Sequence, residues 1–322
     1  MIPVNIVTGF LGSGKTTLIR HLITKYRDSE RWGILINEFG EIGIDKAILN
    51  NDEIEIKEIP GGCICCVTAP LFQVGFNNLI RKQSPSRIII EPSGLGHPDK
   101  IIEMLRSTDY KDIIKMEATI CTIDARQLTS KRHFSNKNFR DQINLADILV
   151  ATKEDRYSAK NKKNFQNFSD SLDPPKAYCL TISHGKLNYK YLSTKNEDRN
   201  SFFSKSHSAS VRKNKSYFTD MGWKIIKSSQ DAFEVLSWEI EENFLFDKIR
   251  LIKWLDKLEI ERIKGVFNCE NESFSYNRIK DEKEVTIIKK TNTRLQLIDS
   301  QLSNIDFFND GLKKQLNKYN KP

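Results

Sequence analysis

Three of the six cysteines in this chain stand within four positions, in the run GCICC at residues 62–66. The thiolates of Cys63, Cys65 and Cys66 favour Zn²⁺ or Cu⁺ over Mg²⁺, and they fill only part of a tetrahedral site. An incomplete thiolate set suits a metal ion that must later leave. The candidates for a further ligand are Glu38, Glu41 and His97. A redox pair or three buried structural thiols are the alternatives, although Pro-Gly-Gly before the run predicts a loop.

A second chemical motif is the run GFLGSGKTT, from Gly9 to Thr17, which matches G-x-x-x-x-G-K-[ST]. It follows a strand-like segment and opens an amphipathic helix, so consecutive N–H groups of the glycine-rich turn can point at phosphate oxygens. Lys15 is predicted to bridge the β- and γ-phosphates, and the Thr16 hydroxyl to ligate Mg²⁺. The predicted nucleotide-binding residues of this loop are Gly9, Gly12, Ser13, Gly14, Lys15, Thr16 and Thr17.

The tetrapeptide TKED predicts which base is bound. It places Thr152, Lys153 and Asp155 at the end of a strand. The Asp155 carboxylate can accept two N–H bonds from guanine, whereas adenine offers no such donor pair. Together with the phosphate loop upstream, this spacing predicts a guanine nucleotide, GTP or GDP.

Between these motifs lies RIIIEPSGLGHP, in which Glu91 ends a buried strand and Gly94 follows three residues later. A P-loop protein keeps an acid near Mg²⁺ at this place, and a glycine whose N–H can sense the γ-phosphate. We therefore predict that Glu91 helps to hold Mg²⁺ and that Gly94 contacts nucleotide. Without the phosphate loop, a strand-ending acid and a turn glycine would explain the same residues.

The elements that position these residues alternate along the first half of the chain. Seven short β-branched runs are separated by helix-length connections, which predicts βαβ units and a mostly parallel sheet with helices on both faces. The fold class is therefore α/β, a P-loop NTPase domain, followed by a smaller α+β C-terminal domain. The predicted boundaries are 1–192 for the first domain, 193–216 for a polar basic linker and 217–322 for the last domain.

Composition excludes some classes of protein. The 322 residues contain 39% hydrophobic and 29% charged residues, which is ordinary for a globular protein. We read no signal peptide or membrane-spanning run, and the cysteine pattern suggests a reducing compartment, so we expect a cytoplasmic protein. The formal charge is +9. Much of it lies in the predicted linker region, where charge is usually solvated, and we expect no nucleic-acid partner.

The motifs TGFLGSGKTT, INEFGEIGID, KEIPGGCICC and IIIEPSGLGHP, followed by the guanine motif, resemble the CobW-type family of P-loop GTPases. Members of this family act as metallochaperones or metal-insertion GTPases. The runs PLFQVGFNNLIR and NKNFRDQINLADILVATKED are closer still to the YeiR-type zinc-binding GTPases within it. The resemblance is dense over the first 185 residues and sparse over the last hundred.

The resemblance implies GTP hydrolysis with Mg²⁺, and zinc delivery to a client protein. It implies zinc at Cys63, Cys65 and Cys66, with Glu38 as a further ligand, and makes Asp45 a candidate Mg²⁺ partner. Glu41 is a candidate for orienting the attacking water. Homo-oligomerisation is left open. The alternatives are a cobalt, nickel or iron insertase and an ATP-dependent kinase.

Thr152 departs from the resemblance, because many members have Asn at this position. The change removes an amide that can brace the phosphate loop. We therefore expect a weaker nucleotide site with an unchanged choice of base. The predicted linker also lacks the histidine-rich stretch of many relatives, since residues 195–216 contain only His207. We therefore expect no metal-storage segment there.

Overall fold

Continuous apolar runs such as RIIIE and ILVAT predict strands that are buried on both faces, and the computed structural model confirms them. It describes residues 1–26, 28–37, 56–59, 69–92, 94, 98–129, 136–194, 215–230, 233–279, 282–288, 290–302 and 304–319. These residues form two compact units, one reaching residue 194 and one beginning at residue 215. Most of the predicted linker lies between these ranges, so its boundaries stay a prediction.

The first unit contains a seven-stranded sheet in which every neighbouring pair is parallel. Its strands are β1 (Ile2–Gly9), β2 (Trp32–Asn37), β3 (Ile56–Ile59), β4 (Arg87–Glu91), β5 (Ile114–Asp124), β6 (Ile148–Thr152) and β7 (Tyr178–Thr181). The order β3-β2-β4-β1-β5-β6-β7 reverses direction at β1. The ends of β4, β1 and β5 therefore flank a switch point, where open α/β sheets bind ligands.

The helices described in this unit are α1 (Lys15–Tyr26), α2 (Ala69–Gln83), α3 (Pro98–Leu105), α4 (Lys137–Leu145) and α5 (Ala159–Asp170). Short 3₁₀ turns occupy Ala125–Thr129, Glu154–Arg156 and Tyr189–Ser193. Phe72 and Phe76 of α2 are fully buried against the β-branched residues of the sheet, such as Ile88 and Ile90. Removal of this apolar surface from water holds the helices on the sheet.

A polar cluster that is largely buried closes the amino-terminal end of the same sheet. It consists of Arg87, Glu30, Asn5 and Tyr189, and we call it the Arg87 cluster. The Arg87 guanidinium donates to Glu30 Oε2 (2.9 Å), to Asn5 Oδ1 (2.8 Å) and to the Tyr189 hydroxyl (2.8 Å). Tyr189 in turn donates to Glu30. These bonds tie the end of the first unit to the start of β4.

The second unit contains an antiparallel sheet in the order β14-β13-β12-β15-β10-β9-β8 and a separate pair, β11 with β16. The strands are β8 (Lys215–Phe218), β9 (Lys224–Gln230), β10 (Phe233–Ile240), β11 (Phe244–Phe246), β12 (Arg262–Asn268), β13 (Ser273–Ile279), β14 (Glu282–Ile288), β15 (Thr293–Asp299) and β16 (Leu316–Tyr319). Helices α6 (Lys248–Lys257) and α7 (Ile305–Lys313) contribute to its apolar core. The predicted α+β class is confirmed.

The core of the second unit is rich in aromatic residues. Trp223, Trp238, Phe267 and Tyr276 are all fully buried.

Within the part of the chain that the structure describes, no helix combines the length and the apolar character needed to cross a membrane.

Candidate functional site

The phosphate loop leaves β1 by a turn that requires glycine. Gly9 has φ of 144°, and a Cβ at this residue would lie 2.3 Å from the Thr122 carbonyl oxygen of β5. Gly14 has φ of 87°, a left-handed conformation that side chains disfavour. Between them the Ser13 N–H donates to the Phe10 carbonyl (3.2 Å), and α1 begins at Lys15. The chain therefore forms the strand–turn–helix that the motif predicts.

Hydroxyl groups from two neighbouring strands hold this loop. Ser13 Oγ lies 2.7 Å from Thr122 Oγ1, which donates to the Thr8 carbonyl at 3.3 Å. Thr152 Oγ1 donates to the Ser13 carbonyl at 2.7 Å. The Thr152 hydroxyl thus supplies a brace over a short distance in place of an amide, and the expected weaker nucleotide site stays a prediction. Sequence reasoning missed this brace because the two residues are 139 positions apart.

Lys15 lies folded over its own loop. Its ammonium donates to the carbonyl oxygens of Gly9 (2.9 Å) and Phe10 (3.3 Å), and the residue is only 6% exposed. Gly94 lies beside it, since a Cβ on Gly94 would be 3.1 Å from Lys15 Nζ. The structure thus brings the predicted phosphate-bridging lysine and the predicted γ-phosphate sensor to one place.

Two further predicted residues meet next to this lysine. Thr16 Oγ1 donates to Glu91 Oε1 at 3.2 Å, and Glu91 Oε2 lies at 3.5 Å. Glu91 is the last residue of β4 and is 4% exposed. A hydroxyl and a carboxylate are hard oxygen donors of the kind that Mg²⁺ selects, so this pair fits a magnesium ion.

The predicted base-recognition residues follow β6. Lys153 has a left-handed backbone with φ of 59°, and its ammonium lies 3.5 Å from Asp124 Oδ2. The Asp155 backbone N–H donates to Ser183 Oγ at 3.2 Å, while its side chain is 35% exposed. A partly exposed carboxylate on an anchored backbone is accessible to the N–H groups of a base.

Three residues that sequence reasoning missed support this end of the site. Asp124 is buried at the end of β5, where Arg126 donates to both of its oxygens. The Tyr157 hydroxyl accepts from the Ala125 N–H at 2.8 Å and donates to the Thr152 carbonyl, and burial raises the pKa of this tyrosine. The position of Asp124 at the carboxyl end of a parallel strand was the signal that could have identified it.

Gly185 connects the base end to the phosphate end. It follows β7 with φ of 72°, and a Cβ here would lie 2.5 Å from the Thr17 carbonyl oxygen in the first turn of α1. The loop after β7 therefore packs directly on the helix that follows the phosphate loop. Glycine is required at this close approach of two backbones.

The predicted thiolate site, formed by Cys63, Cys65 and Cys66, lies outside the described residues. The same is true of four other predicted site residues, Glu38, Glu41, Asp45 and His97.

The structure describes three other cysteines: Cys121 and Cys269 are buried, and Cys179 is half-buried. Burial raises the pKa of Cys269 to about 11. Within the described ranges, His, Cys, Asp and Glu side chains form no group of three able to hold a metal ion.

Comparison with known proteins places these observations in a family. Residues 3–178 match the model of the CobW/HypB/UreG nucleotide-binding domain. The chain is 35% identical to the zinc chaperone YeiR of Escherichia coli (strain K12) over 308 residues, which cover 93% of this chain and 94% of the relative. It is 29% identical to a zinc chaperone CobW of a Sinorhizobium species, covering 58% and 60% of the two chains.

Among solved structures, the Zn(II)-bound YjiA GTPase from E. coli superposes with a TM-score of 0.43 at 18% identity, covering 98% of both chains. The match over residues 3–178 spans the whole phosphate loop and the base-recognition motif. The chain therefore belongs to the CobW/HypB/UreG family.

Proposed function

We propose that the protein is a GTPase that hydrolyses GTP to GDP and phosphate and couples the nucleotide state to the binding and transfer of zinc. The observation that carries the proposal is the convergence of Lys15, Thr16, Glu91 and Gly94 at the end of β1 and β4, in a chain related over nearly its full length to a zinc chaperone.

In this proposal Lys15 exchanges the carbonyl oxygens of its own loop for phosphate oxygens. The ammonium then stabilises charge that develops on the transferred phosphoryl group. The N–H groups of Gly12 and Gly14 surround the phosphates, joined by that of Ser13 once its bond to the Phe10 carbonyl opens. The N–H groups of Thr16 and Thr17 add the positive end of α1. Gly94 supplies a backbone donor to the γ-phosphate.

Thr16 and Glu91 would hold Mg²⁺ once their mutual hydrogen bond opens. When bound, Mg²⁺ offsets the negative charge of the β- and γ-phosphates. We propose Asp45 as a further partner of this ion and Glu41 as the residue that orients the attacking water. Both assignments rest on the position of these residues in the family motif.

We propose that Asp155 selects guanine by accepting its N1–H and exocyclic N–H. Lys153, held near Asp124, lays its aliphatic stem along the purine face. Thr152 braces the phosphate loop from the same strand end. One short segment after β6 therefore serves both ends of the nucleotide.

Zinc is the cargo in this scheme. We propose Cys63, Cys65 and Cys66 as its thiolate ligands with Glu38 as the fourth, because thiolates select zinc over magnesium. The family relationship supports this choice, since two curated relatives are zinc chaperones. We further propose that the ion passes to a zinc-dependent client protein in the cytoplasm and that residues 217–322 form the domain that docks it.

The test is zinc titration of the purified protein with GDP and with a non-hydrolysable GTP analogue. Coupling is reciprocal, so a nucleotide that tightens zinc must itself bind more tightly with zinc. We expect zinc affinity to differ between the two nucleotide states by at least fivefold, the low end of typical allosteric coupling. Equal affinities would leave a GTPase without the proposed transfer mechanism.

The choice of metal and ligands is tested by substitution. Replacing Cys63, Cys65 and Cys66 together with Ser should remove the bound zinc measured by elemental analysis. The matched control is the replacement of Cys179 with Ser, which should leave zinc content unchanged. Tighter binding of cobalt, nickel or iron in competition titrations would instead favour an insertase, and preference for ATP would favour a kinase.

A further inference from the structure

Gln142 of α4 is a fully buried amide next to the nucleotide site. Its exposure is 0%, and its Nε2 donates to the carbonyl oxygen of Gly94 at 3.1 Å. Burying an amide is unfavourable unless hydrogen bonds compensate, so this bond is part of what makes glutamine acceptable here. Gln142 therefore has a specific structural relation to the residue proposed to sense the γ-phosphate.

The same face of α4 contacts the phosphate loop. Phe139 lies one turn before Gln142, and residues three apart share a helix face. The Phe139 ring is edge-on to the Phe10 ring, with centroids 6.0 Å apart, and Phe139 is 1% exposed. The Asn136 side chain caps α4 by accepting the Phe139 N–H at 3.2 Å. One face of α4 thus contacts both Phe10 and Gly94.

Gly94 has little space in which to move. A Cβ on this residue would lie 2.9 Å from Leu11 Cδ2 and 3.2 Å from the Leu11 nitrogen, besides its approach to Lys15. Its N–H and its carbonyl belong to two successive peptide planes, whose relative orientation is set by rotation about the two backbone bonds of Gly94. A donor that holds the Gly94 carbonyl limits this rotation, while the phosphate loop limits the position of the Cα atom.

We propose that Gln142 is a positioning residue that orients Gly94 for the γ-phosphate and thereby sets the preference of the site for GTP over GDP. The proposal rests on the proposed function, because it assumes that guanine nucleotides bind at Lys15 and Gly94. GDP has no γ-phosphate and so gains nothing from an oriented Gly94. The effect of Gln142 therefore falls on the triphosphate alone.

The experiment measures the affinities of a non-hydrolysable GTP analogue and of GDP for the full chain and for two variants. In Gln142→Met the donor is lost while the length of the side chain is kept. Loss of one hydrogen bond should weaken analogue binding about threefold to tenfold and leave GDP affinity within twofold. In Gln142→Glu burial disfavours ionisation of the carboxyl group; the protonated group keeps a donor for the Gly94 carbonyl and the ionised group repels it, so the analogue-to-GDP affinity ratio relative to wild type should fall as the pH is raised.

Gln166→Met is the matched control. Gln166 lies on α5, and its amide donates to Asp170 Oδ1 at 2.8 Å on the exposed surface. The same chemical change at this position should leave both affinities unchanged. Melting temperatures of all variants separate a loss of folding from a loss of orientation.

The outcomes distinguish the two proposals. A wild-type protein that binds neither nucleotide refutes the proposed function. A wild-type protein that binds both, together with Gln142 variants whose analogue-to-GDP ratio is unchanged, refutes the positioning role and leaves the GTPase intact. A parallel loss of both affinities also refutes it, because a purely structural amide would affect the whole loop. A selective loss of analogue binding supports it.

Discussion

Strand β4 is only five residues long, and its two ends have opposite polar environments. At its start, Arg87 donates hydrogen bonds from its three guanidinium nitrogens to three different side chains of the Arg87 cluster. At its end, Glu91 accepts from the hydroxyl of Thr16, a neighbour that has its own predicted role in ligand binding. Both ends are buried, so burial alone does not distinguish them.

The two ends of β4 differ in the hydrogen-bond partners of their polar groups. The Arg87 cluster consists of side chains that satisfy one another, and a ligand could enter only by breaking a largely buried ion pair. Near Glu91, Lys15 donates to the carbonyls of a glycine-rich turn, and Thr16 donates to a carboxylate that a cation could share. A buried polar group is therefore a candidate for ligand binding when its present bonds can be exchanged at low cost.

The largest expected effect is at the start of β4, in the Arg87 cluster. Arg87→Met leaves Glu30 as a partly buried carboxylate without its cation, which should lower the free energy of unfolding by about 3–4 kcal/mol, the lower part of the range for breaking a buried ion pair. Urea denaturation measures this loss. The double variant Arg87→Met with Glu30→Gln should recover part of it, because the uncompensated charge is gone. Nucleotide affinity of the folded fraction should stay within threefold; a larger change would mean that the two ends of β4 are coupled.

The next largest effect is expected near the end of β4, at Lys15 of the phosphate loop. Lys15→Ala should lower the turnover number for GTP about 100- to 1,000-fold, the usual cost of losing one donor to transition-state charge. Phosphate release under saturating GTP measures it. Lys100→Ala on α3, whose ammonium pairs with Glu103 on the surface, is the control and should hydrolyse GTP at the wild-type rate. A melting temperature near that of wild type would confirm that Lys15 serves chemistry rather than folding.

Asp155→Asn tests whether the exposed carboxylate reads the base. The amide cannot accept both N–H groups of guanine, so GTP affinity should fall roughly tenfold to 100-fold, the range for a hydrogen bond to a charged group. The amide can donate to the extra carbonyl of xanthine, and affinity for xanthosine triphosphate should rise. Competition binding measures both. Unchanged selectivity would place base recognition on another residue.

The smallest effect is expected from loss of the hydrogen bond between the Thr152 hydroxyl and the Ser13 carbonyl. Thr152→Val keeps the shape of the side chain and removes the bond to the Ser13 carbonyl, so GDP affinity should fall about threefold to tenfold. Thr152→Ser retains the hydroxyl and should bind GDP like wild type. Isothermal titration of both variants provides the comparison. Equal binding by the Val and Ser variants would show that the loop keeps its shape without this bond.

The fold was largely predictable because local pattern and global topology agree. Each of the seven apolar runs chosen in the first half became a strand of the parallel sheet, and the phosphate loop has the strand–turn–helix context that its motif requires. In the second unit, the strands β8, β11, β15 and β16 were not predicted. Strands β8, β11 and β16 have only three or four residues, too few to show a periodicity, whereas the seven residues of β15 were overlooked.

The site was predictable only where its residues belong to one local motif. Lys15, Thr16, Glu91 and Gly94 were identified from runs that each encode a turn or a strand end. The contacts of Gln142 with Gly94 and of Asp124 with Lys153 join residues that are distant in sequence, and no local pattern predicts such pairs. The thiolate ligands stay a prediction, because they lie outside the described residues.

The contact between Gly185 and the backbone of Thr17 has a consequence for selectivity by size. At Gly185 the main chain of the loop that follows β7 lies directly against the main chain of the first turn of α1, so at this point the spacing is set by main-chain atoms. Point substitutions elsewhere can alter which base or how many phosphates are preferred. We therefore expect that a nucleotide longer or shorter between its base and its β-phosphate would require the loop after β7 to move relative to α1.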